Sequence, residues 1–568
     1  MNKLLKSKIW WVYLLAALAA VNYIASIIHY RLDLTAEKRY TLSAPTKKLL
    51  SDLTDRINID VFLSGDLPAD FRNLRNRTEE LLAEFKANGN NSISYTFKKP
   101  GEGLDENEKQ EFLLHIDSLG LKPTNVKVQM KSGESQEERL VYPGALITYD
   151  GKQFPIDLLQ GQDMTGGIQT LNTAAALLEY KFANGIQKIT QQTVPVIGYL
   201  AGNGEPLSYN VFDLIERTLK PNYGFGFVPI DSVGVIPREF DVVMVVKPTT
   251  RFNDKQKLKL DQYIMHGGKV IWMIDNLYAE MDSLLRKQSD FIAFDRGLNL
   301  EDLLFKYGVR INQDLVQDLQ CDKLPLAVGN FGDKPQMQLV PWPYFPLLSS
   351  YGDNPISKNL NNVLSLFPNS MDTVEAEGIR KTVLLATSAN SRTLNTPAIV
   401  SLNSVKTEDD LKTFNRRNIP IAVLLEGKFS SLYANRIASG TADSLTKVYK
   451  QPFLPQAESD NKMIVVADAD IASNVVTQND GPLAMGTNQF THTQYANRDF
   501  ILNSIEYLVN PSGILAARSK TLTLRLLDPA KIETEKMKWQ IINNGLPVIL
   551  IVAFAFVYQA VRNKKYQA

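Results

Sequence analysis

The 568-residue sequence predicts an α/β protein: a small N-terminal α/β domain, then a larger doubly wound, mainly parallel-sheet domain, flanked by two transmembrane helices. Three observations predict it. Short continuous apolar runs recur at Val196–Leu200, Val242–Val246, Val270–Ile274, Val383–Ala386, Ile421–Leu425 and Ile464–Ala467, as expected of strands buried on both faces beneath helices. Helical patterns separate several of these runs, the spacing of a doubly wound fold. Long uncharged runs sit at Ile9–Ile28 and at about Leu546–Val561.

Taken in chain order, residues 1–8 form a short tail and 9–28 the first expected span. About 20 apolar residues cross the hydrocarbon layer, so the first run is long enough and the second is near the lower limit. Lys3, Lys6 and Lys8 precede the first run, and Arg562, Lys564 and Lys565 follow the second. The positive-inside rule then places both tails in the cytoplasm and the bulk of the chain in the periplasm of a bacterial inner membrane. Arg31, Lys38 and Arg39 weigh the other way, although long domains translocate largely regardless of charge. Ala17-Leu18-Ala19 offers a second reading, a cleaved signal peptide; Trp10, Trp11 and Tyr13 suit an anchor's interface instead.

Residues 31–160 read as the small domain. Ile57–Leu63 alternates as a strand, and Ala69–Ala87 places Phe71, Leu74, Thr78, Leu81, Leu82 and Phe85 on one helical face. Strands are expected at Ile93–Phe97, about Asn125–Lys131, Arg139–Tyr149 and Lys152–Ile156, with a helix near Glu106–Leu119. Asp150-Gly151 is a two-residue hairpin signal. A helical connector over 161–190 leads to the larger domain, 191–515. There, helices are expected at Ser208–Leu219 and Asp254–His266. The latter opens on the capping-box pair Asn253 and Gln256 and stops at Gly267-Gly268. Residues 324–370, rich in proline and aromatics, read as an irregular insertion. Arg498–Val509 closes the domain as an amphipathic helix. Residues 516–543 read as a polar stalk, an interfacial helix or a solvated helix face, before the second span at 544–561 and the tail at 562–568. Pro547 is expected near the start of that span, where its missing N–H costs nothing.

Composition excludes several functions. Basic and acidic residues number 62 and 61, so no global field draws nucleic acid. One cysteine and four histidines leave no disulfide framework and no zinc set, and no cofactor is expected. Gly202-Asn203-Gly204-Glu205 follows an apolar strand, but Leu207 stands where the dinucleotide pattern needs glycine, and Pro206 removes an N–H; a turn is the better reading. No G-x-x-x-x-G-K-[ST] is present, so ATP hydrolysis is not expected. Cys321 lacks the strand-to-helix elbow of a nucleophile, and no G-x-S-x-G replaces it, so no catalytic residue is assigned.

Two groups remain as candidate sites. Glu205, Asp275, Asp468 and Asp470 each follow the carboxyl end of an expected parallel strand, where open α/β sheets form their ligand crevice. Oxygen ligands there suit a hard cation such as Ca²⁺, or a ligand amine; the other reading is ordinary loop and helix capping. Trp342, Tyr344 and Phe345, set among prolines, read equally as a partner surface or as core.

Several stretches resemble the GldG gliding-motility family of Bacteroidota, within a wider group of auxiliary ABC-transporter proteins. They are Arg31–Ser43 (RLDLTAEKRYTLS), Leu258–Asp275 (LKLDQYIMHGGKVIWMID), Trp342–Pro346, Asn354–Asn359, Asp468–Asn474 and Asn497–Leu508. The resemblance covers nearly the whole chain. It implies a central domain similar in fold to class I glutamine amidotransferases and intraflagellar-transport proteins. It also implies work beside a GldF-like multispan permease and, through it, a GldA-like ATPase. The expectation is a non-enzymatic auxiliary membrane subunit that displays a periplasmic domain for a partner or cargo. The alternatives are a periplasmic receptor for a carbohydrate or peptide, and a degenerate hydrolase or amidotransferase.

Overall fold

A computed structural model describes residues 41–129, 136–159, 168–281, 290–331, 334–402, 408–510, 512–519 and 529–566, with helical Leu15, Ala16, Leu18, Ala19 and Asn22 before them. The apolar run Ile9–Ile28, its Ala17-Leu18-Ala19 site and the stretch from Arg31 to Tyr40 otherwise lie outside the described residues. The chain forms two compact units, Met1–Thr521 and Leu522–Ala568.

After a short helix, Ala44–Ser51, the first unit continues with β1 (Ile57–Val61), α1 (Ala69–Asn88), β2 (Ile93–Phe97), α2 (Glu106–Ser118), β3 (Thr124–Gln129), β4 (Gln136–Val141), β5 (Gly144–Tyr149) and β6 (Lys152–Asp157). The sheet order is β2-β1-β5-β6, parallel only between β1 and β2. The strand expected over Arg139–Tyr149 is two strands. Pro143 has no N–H for a ladder, and there the chain passes from the β3–β4 ribbon to the main sheet. Asp150 and Gly151 take φ of +47° and +72°, the left-handed pair of a tight hairpin. On α1, Phe71, Leu74, Thr78, Leu82 and Phe85 are buried and Leu81 is half-buried.

Helix α3 (Ile168–Thr190) packs into both halves of the unit. Its Phe182 ring lies 6.5 Å from that of Phe85, edge to face. Gly185 lets it press on β5 and β6, since a Cβ there would come 3.0 Å from Ile147 Cδ1. Near its other end, Lys188 pairs with buried Glu506 at 2.9 Å.

The central sheet contains β7 (Val196–Ala201), β8 (Gly224–Pro229), β9 (Val242–Val246), β10 (Lys269–Met273), β11 (Cys321–Phe331), β12 (Lys334–Ser350), β13 (Ile379–Ala386), β14 (Pro420–Gly427) and β15 (Asn461–Val466). Its order is β11-β12-β13-β14-β15-β10-β9-β7-β8. From β15 to β8 every pairing is parallel, and from β11 to β15 every pairing is antiparallel. The mainly parallel sheet expected from sequence is therefore a mixed one. Apolar runs such as Val383–Ala386 and Ile421–Leu425 report burial on both faces, which an antiparallel strand beneath helices meets equally well. One face of the sheet packs Ile197, Met244, Ile271 and Val466 against α3 and the helix α5 (Asn497–Val509). The other packs Leu200, Val243, Trp272 and Val465 against α4 (Asp254–Met265) and Glu301–Tyr307.

Two local expectations change. Ser208–Leu219 is a 3-10 turn at Tyr209–Val211 followed by a π-helical segment, Asp213–Leu219, rather than an α-helix. The stretch read as an irregular insertion begins with a long hairpin, β11 and β12, shifted in register near Cys321 and Ala327. Proline argued against strand here, yet a hairpin at the margin of a sheet tolerates missing N–H groups. The capping box of α4 is present: Asn253 Oδ1 accepts from Gln256 N at 2.9 Å, and Gln256 Oε1 accepts from Asn253 N at 2.9 Å.

The described residues of the second unit form one continuous helix, Pro529–Tyr566, so the stalk from Pro529 onward and the span share an element. Pro547 lies inside it, not at a helix start. Glu535–Lys564 is long and apolar enough to cross a membrane. Its apolar side chains are exposed, Ile551 by 68% and Phe554 by 72%, unlike those of a soluble core helix.

Candidate functional site

Renumbered along its parallel half, the strand order β8-β7-β9-β10-β15 reads 2-1-3-4-5, an order with its switch point between β7 and β9. The loops at the carboxyl ends of these strands carry the candidate residues. Lys247 follows β9, Asp275 follows β10, and Asp468 and Asp470 follow β15. Three parallel strands in register bring these ends together from distant parts of the sequence.

Carboxylate oxygens of Asp275, Asp468 and Asp470 lie within 4.8 Å of one another. Lys247, at φ +49°, places its ammonium 2.5 Å from Asp470 Oδ1, 3.3 Å from Asp275 Oδ2 and 3.3 Å from Glu280 Oε2. Arg296 closes the group, its Nη2 2.5 Å from Glu280 Oε1. Backbone and hydroxyl donors complete it. Asp275 Oδ1 accepts from Ala469 N at 2.6 Å, Asp468 Oδ1 from Asp470 N at 2.8 Å, and Asp468 Oδ2 from Leu366 N at 2.8 Å and the Ser365 hydroxyl.

Burial sets the charges. It lifts the Asp468 carboxyl well above its ordinary range, with negative Asp470 and Asp275 adding to the shift. Burial also pushes Asp470 up to about 7, against the pull of Lys247 and with Asp275 and Glu280 adding. For Lys247 burial acts downward, but Asp470, Asp275 and Glu280 outweigh it and hold the ammonium above its usual range. The group is a buried cation ringed by acids, of which Asp468 and Asp470 retain protons more readily than usual.

The structure therefore joins three of the four crevice candidates and leaves out the fourth. Glu205 turns back on its own loop, where Oε2 accepts from Gly202 N at 3.0 Å and Asn203 N at 2.7 Å. That loop is a packed turn. Gly204, at φ +77°, sits so close to Thr249 that a Cβ would lie 2.1 Å from its hydroxyl, which leaves no cradle for a phosphate. The residue sequence reading missed is Lys247, and its signal was a charged side chain closing the all-apolar strand VVMVV. Its ammonium takes the place that reading gave to Ca²⁺ or a ligand amine, and a hard cation at these oxygens would have to displace it.

For the aromatic candidates the structure decides between the two readings, in favour of core and against a partner surface. Trp342, Tyr344 and Phe345 are 1%, 0% and 5% exposed, so they offer no partner surface. They pack with Phe367, and Trp342 Nε1 and the Tyr344 hydroxyl donate to the carbonyls of Ser401 and Ile399. A side chain with both a large apolar body and a satisfied polar tip belongs in a core. Burial pushes the Cys321 thiol up to about 12, with Asp318 and Asp322 adding, which disfavours a thiolate.

Comparison with known proteins places the chain. The family described as an ABC-type uncharacterized transport system, with the short name ABC_transp_aux, matches residues 194–504. The chain belongs to this family. A second family, a domain of unknown function (DUF7088), matches residues 36–148. An uncharacterized protein of Borreliella burgdorferi is 21% identical over 430 residues, covering 74% of this chain and 77% of that one. Among solved structures, the mmIFT52 N-terminal domain matches at 12% identity and a TM-score of 0.29, over 56% of this chain and 97% of that domain. An exo-β-1,4-mannosidase from an Opitutaceae bacterium matches at 8% identity and a TM-score of 0.21, over 86% of this chain and 56% of the enzyme. Family membership makes the chain an auxiliary component of an ABC transport system, which implies association with transporter components. The helix Glu535–Lys564 suggests association with a membrane.

Proposed function

We propose that the protein is a non-enzymatic, membrane-anchored subunit that serves an ABC permease and its ATPase from the outer side of the membrane. The family match over residues 194–504 carries this reading. In its finer form the partners are GldF-like and GldA-like, the runs 9–28 and 544–561 both span, the large unit is periplasmic, and the complex acts in gliding motility. The sequence resemblance and the basic tails support that form. An amidotransferase-like sheet that lacks a nucleophile belongs to the same reading: the shielded Cys321 thiol and the lysine-filled acidic cluster favour a scaffold over a catalyst.

A contact face is available on the small sheet formed by Leu277–Tyr278, Phe291–Asp295 and Ala398–Val400. Ile292 lies opposite Ile399, and Tyr278 opposite Phe294, with those two rings 5.3 Å apart. All four are exposed, by 40% to 62%. Neighbouring large apolar side chains turned outward are what a protein partner covers. The experiment is purification of the tagged full-length protein from native membranes, followed by mass spectrometry. A permease and an ATPase should co-purify and be lost on Phe294→Asp or on replacement of 529–566. Recovery of neither from the unaltered protein would refute the reading.

A further inference from the structure

An open groove of about 1060 Å³ lies beside the helix Glu301–Tyr307, far along the chain from the Lys247 loop in sequence and built from different residues. Its walls carry Lys306, Arg310, Arg416 and Arg436, all exposed. Acids line it too, but most are already engaged. Asp372 takes Arg310 at 2.6 Å and Asn312 Nδ2 at 3.0 Å. Asp302 is held by buried Lys257 at 2.9 Å. Asp314, itself buried, accepts from Ser370 N at 2.9 Å and the Ser370 hydroxyl at 2.7 Å.

The cations fare differently. The Arg416 guanidinium donates to the Thr393 hydroxyl at 2.8 Å. The side chains of Arg436 and Lys306 make no hydrogen bond or ion pair among the described residues. Arg436 and Lys306, with Arg416 hydrogen-bonded to a neutral hydroxyl beside them, thus face one carboxylate that makes no side-chain hydrogen bond or ion pair among the described residues, Glu301. Exposed Phe305 adds an apolar ring to the wall. A guanidinium presents planar, forked N–H donors that match a carboxylate or a phosphate two bonds at a time. The groove's volume is that of a small-molecule or short-peptide site.

We propose that this groove binds an oxyanion-bearing ligand, a carboxylate or a phosphate, through Arg416 and Arg436 with Lys306 in support. The inference stands apart from the transporter reading, because it depends only on this wall and not on any subunit partner. The test uses full-length protein in an uncharged detergent at low salt, titrated calorimetrically with hexaglutamate, inorganic phosphate and hexalysine. Binding of hexaglutamate identifies a carboxylate source, and binding of phosphate alone a phosphate source. Either should weaken roughly tenfold or more in Arg416→Glu/Arg436→Glu, the loss expected when a charge-assisted pair is removed. Arg436→Gln, at an exposed position without partners, provides a second variant with little risk to folding and should weaken binding in the same direction. Heat from neither acidic probe, preference for hexalysine, or affinity unchanged in Arg436→Gln would overturn the proposal.

Discussion

At the carboxyl edge of the parallel strands, Lys247 is 13% exposed at its side chain and faces carboxylates of Asp275, Glu280 and Asp470 within 3.3 Å. In the groove beside Glu301–Tyr307, Arg436 stands exposed with no such partner among the described residues. The two regions use the same kinds of residue to opposite ends. A buried charge must find its counter-charge inside the fold, because stripping its water costs several kcal/mol. An exposed one gains only about 0–1 kcal/mol from a surface pair, so leaving it free for a ligand costs the fold little. Aromatic residues divide the same way: Trp342 and Tyr344 are core, while Tyr278 and Phe294 face outward.

The sharpest way to break this comparison is Lys247→Met, which leaves the acids without their central cation. It should destabilise the protein by about 3–5 kcal/mol, the cost of removing one partner of a buried pair. Chemical denaturation of the full-length protein measures this, and a loss near zero would mean that the cluster draws its positive charge from elsewhere. Trp342→Ala tests the aromatic half. A cavity at this site should cost about 3–5 kcal/mol. A partner anchor would instead leave the unfolding midpoint in place and lose only binding.

A smaller effect follows from pH. Asp470 titrates near 3.8 when unfolded and is raised to about 7 in the fold, so the folded protein binds the extra proton between those values. The sign follows directly: this contribution favours folding as pH falls through about 7, and is lost as pH rises through it. From pH 8 to pH 5, wild type should therefore gain on the order of 2–3 kcal/mol relative to Asp470→Asn. Equal pH slopes for the two proteins would remove the assigned role of the proton. Smallest of all, Arg436→Gln should change stability by less than about 0.5 kcal/mol, as surface changes usually do. A clear loss in the same denaturation assay would show that the arginine is engaged in the fold.

Much of the fold was legible because burial writes itself into composition. Every continuous apolar run from Val196 to Ala467 became a strand of one sheet, and the Asn253–Gln256 box opened α4 as its spacing required. Direction was not legible: Ile421–Leu425 and Ile464–Ala467 look alike, yet β14 and β15 run antiparallel. Nor was the hairpin of β11 and β12, whose prolines mimic a loop because a lone sequence carries no sign of which N–H groups face a neighbour. In the candidate site, strand-end acids were visible one at a time. That Asp275 and Asp468 converge while Glu205 turns back on Gly202 and Asn203 depends on β10 pairing with β15.

By itself the sequence determined what each segment must bury. Apolar period and length fix strands, helices and the C-terminal apolar helix, because those properties are local. Only the tertiary structure decided which charges are spent and which are free. Lys247 and Arg436 are equally basic in the chain. The packing of β9, β10 and β15 encloses the first among acids, while the wall beside Glu301–Tyr307 leaves the second in water. Pairing at a few ångströms across more than 200 residues of sequence is a property of the sheet, and no local pattern encodes it.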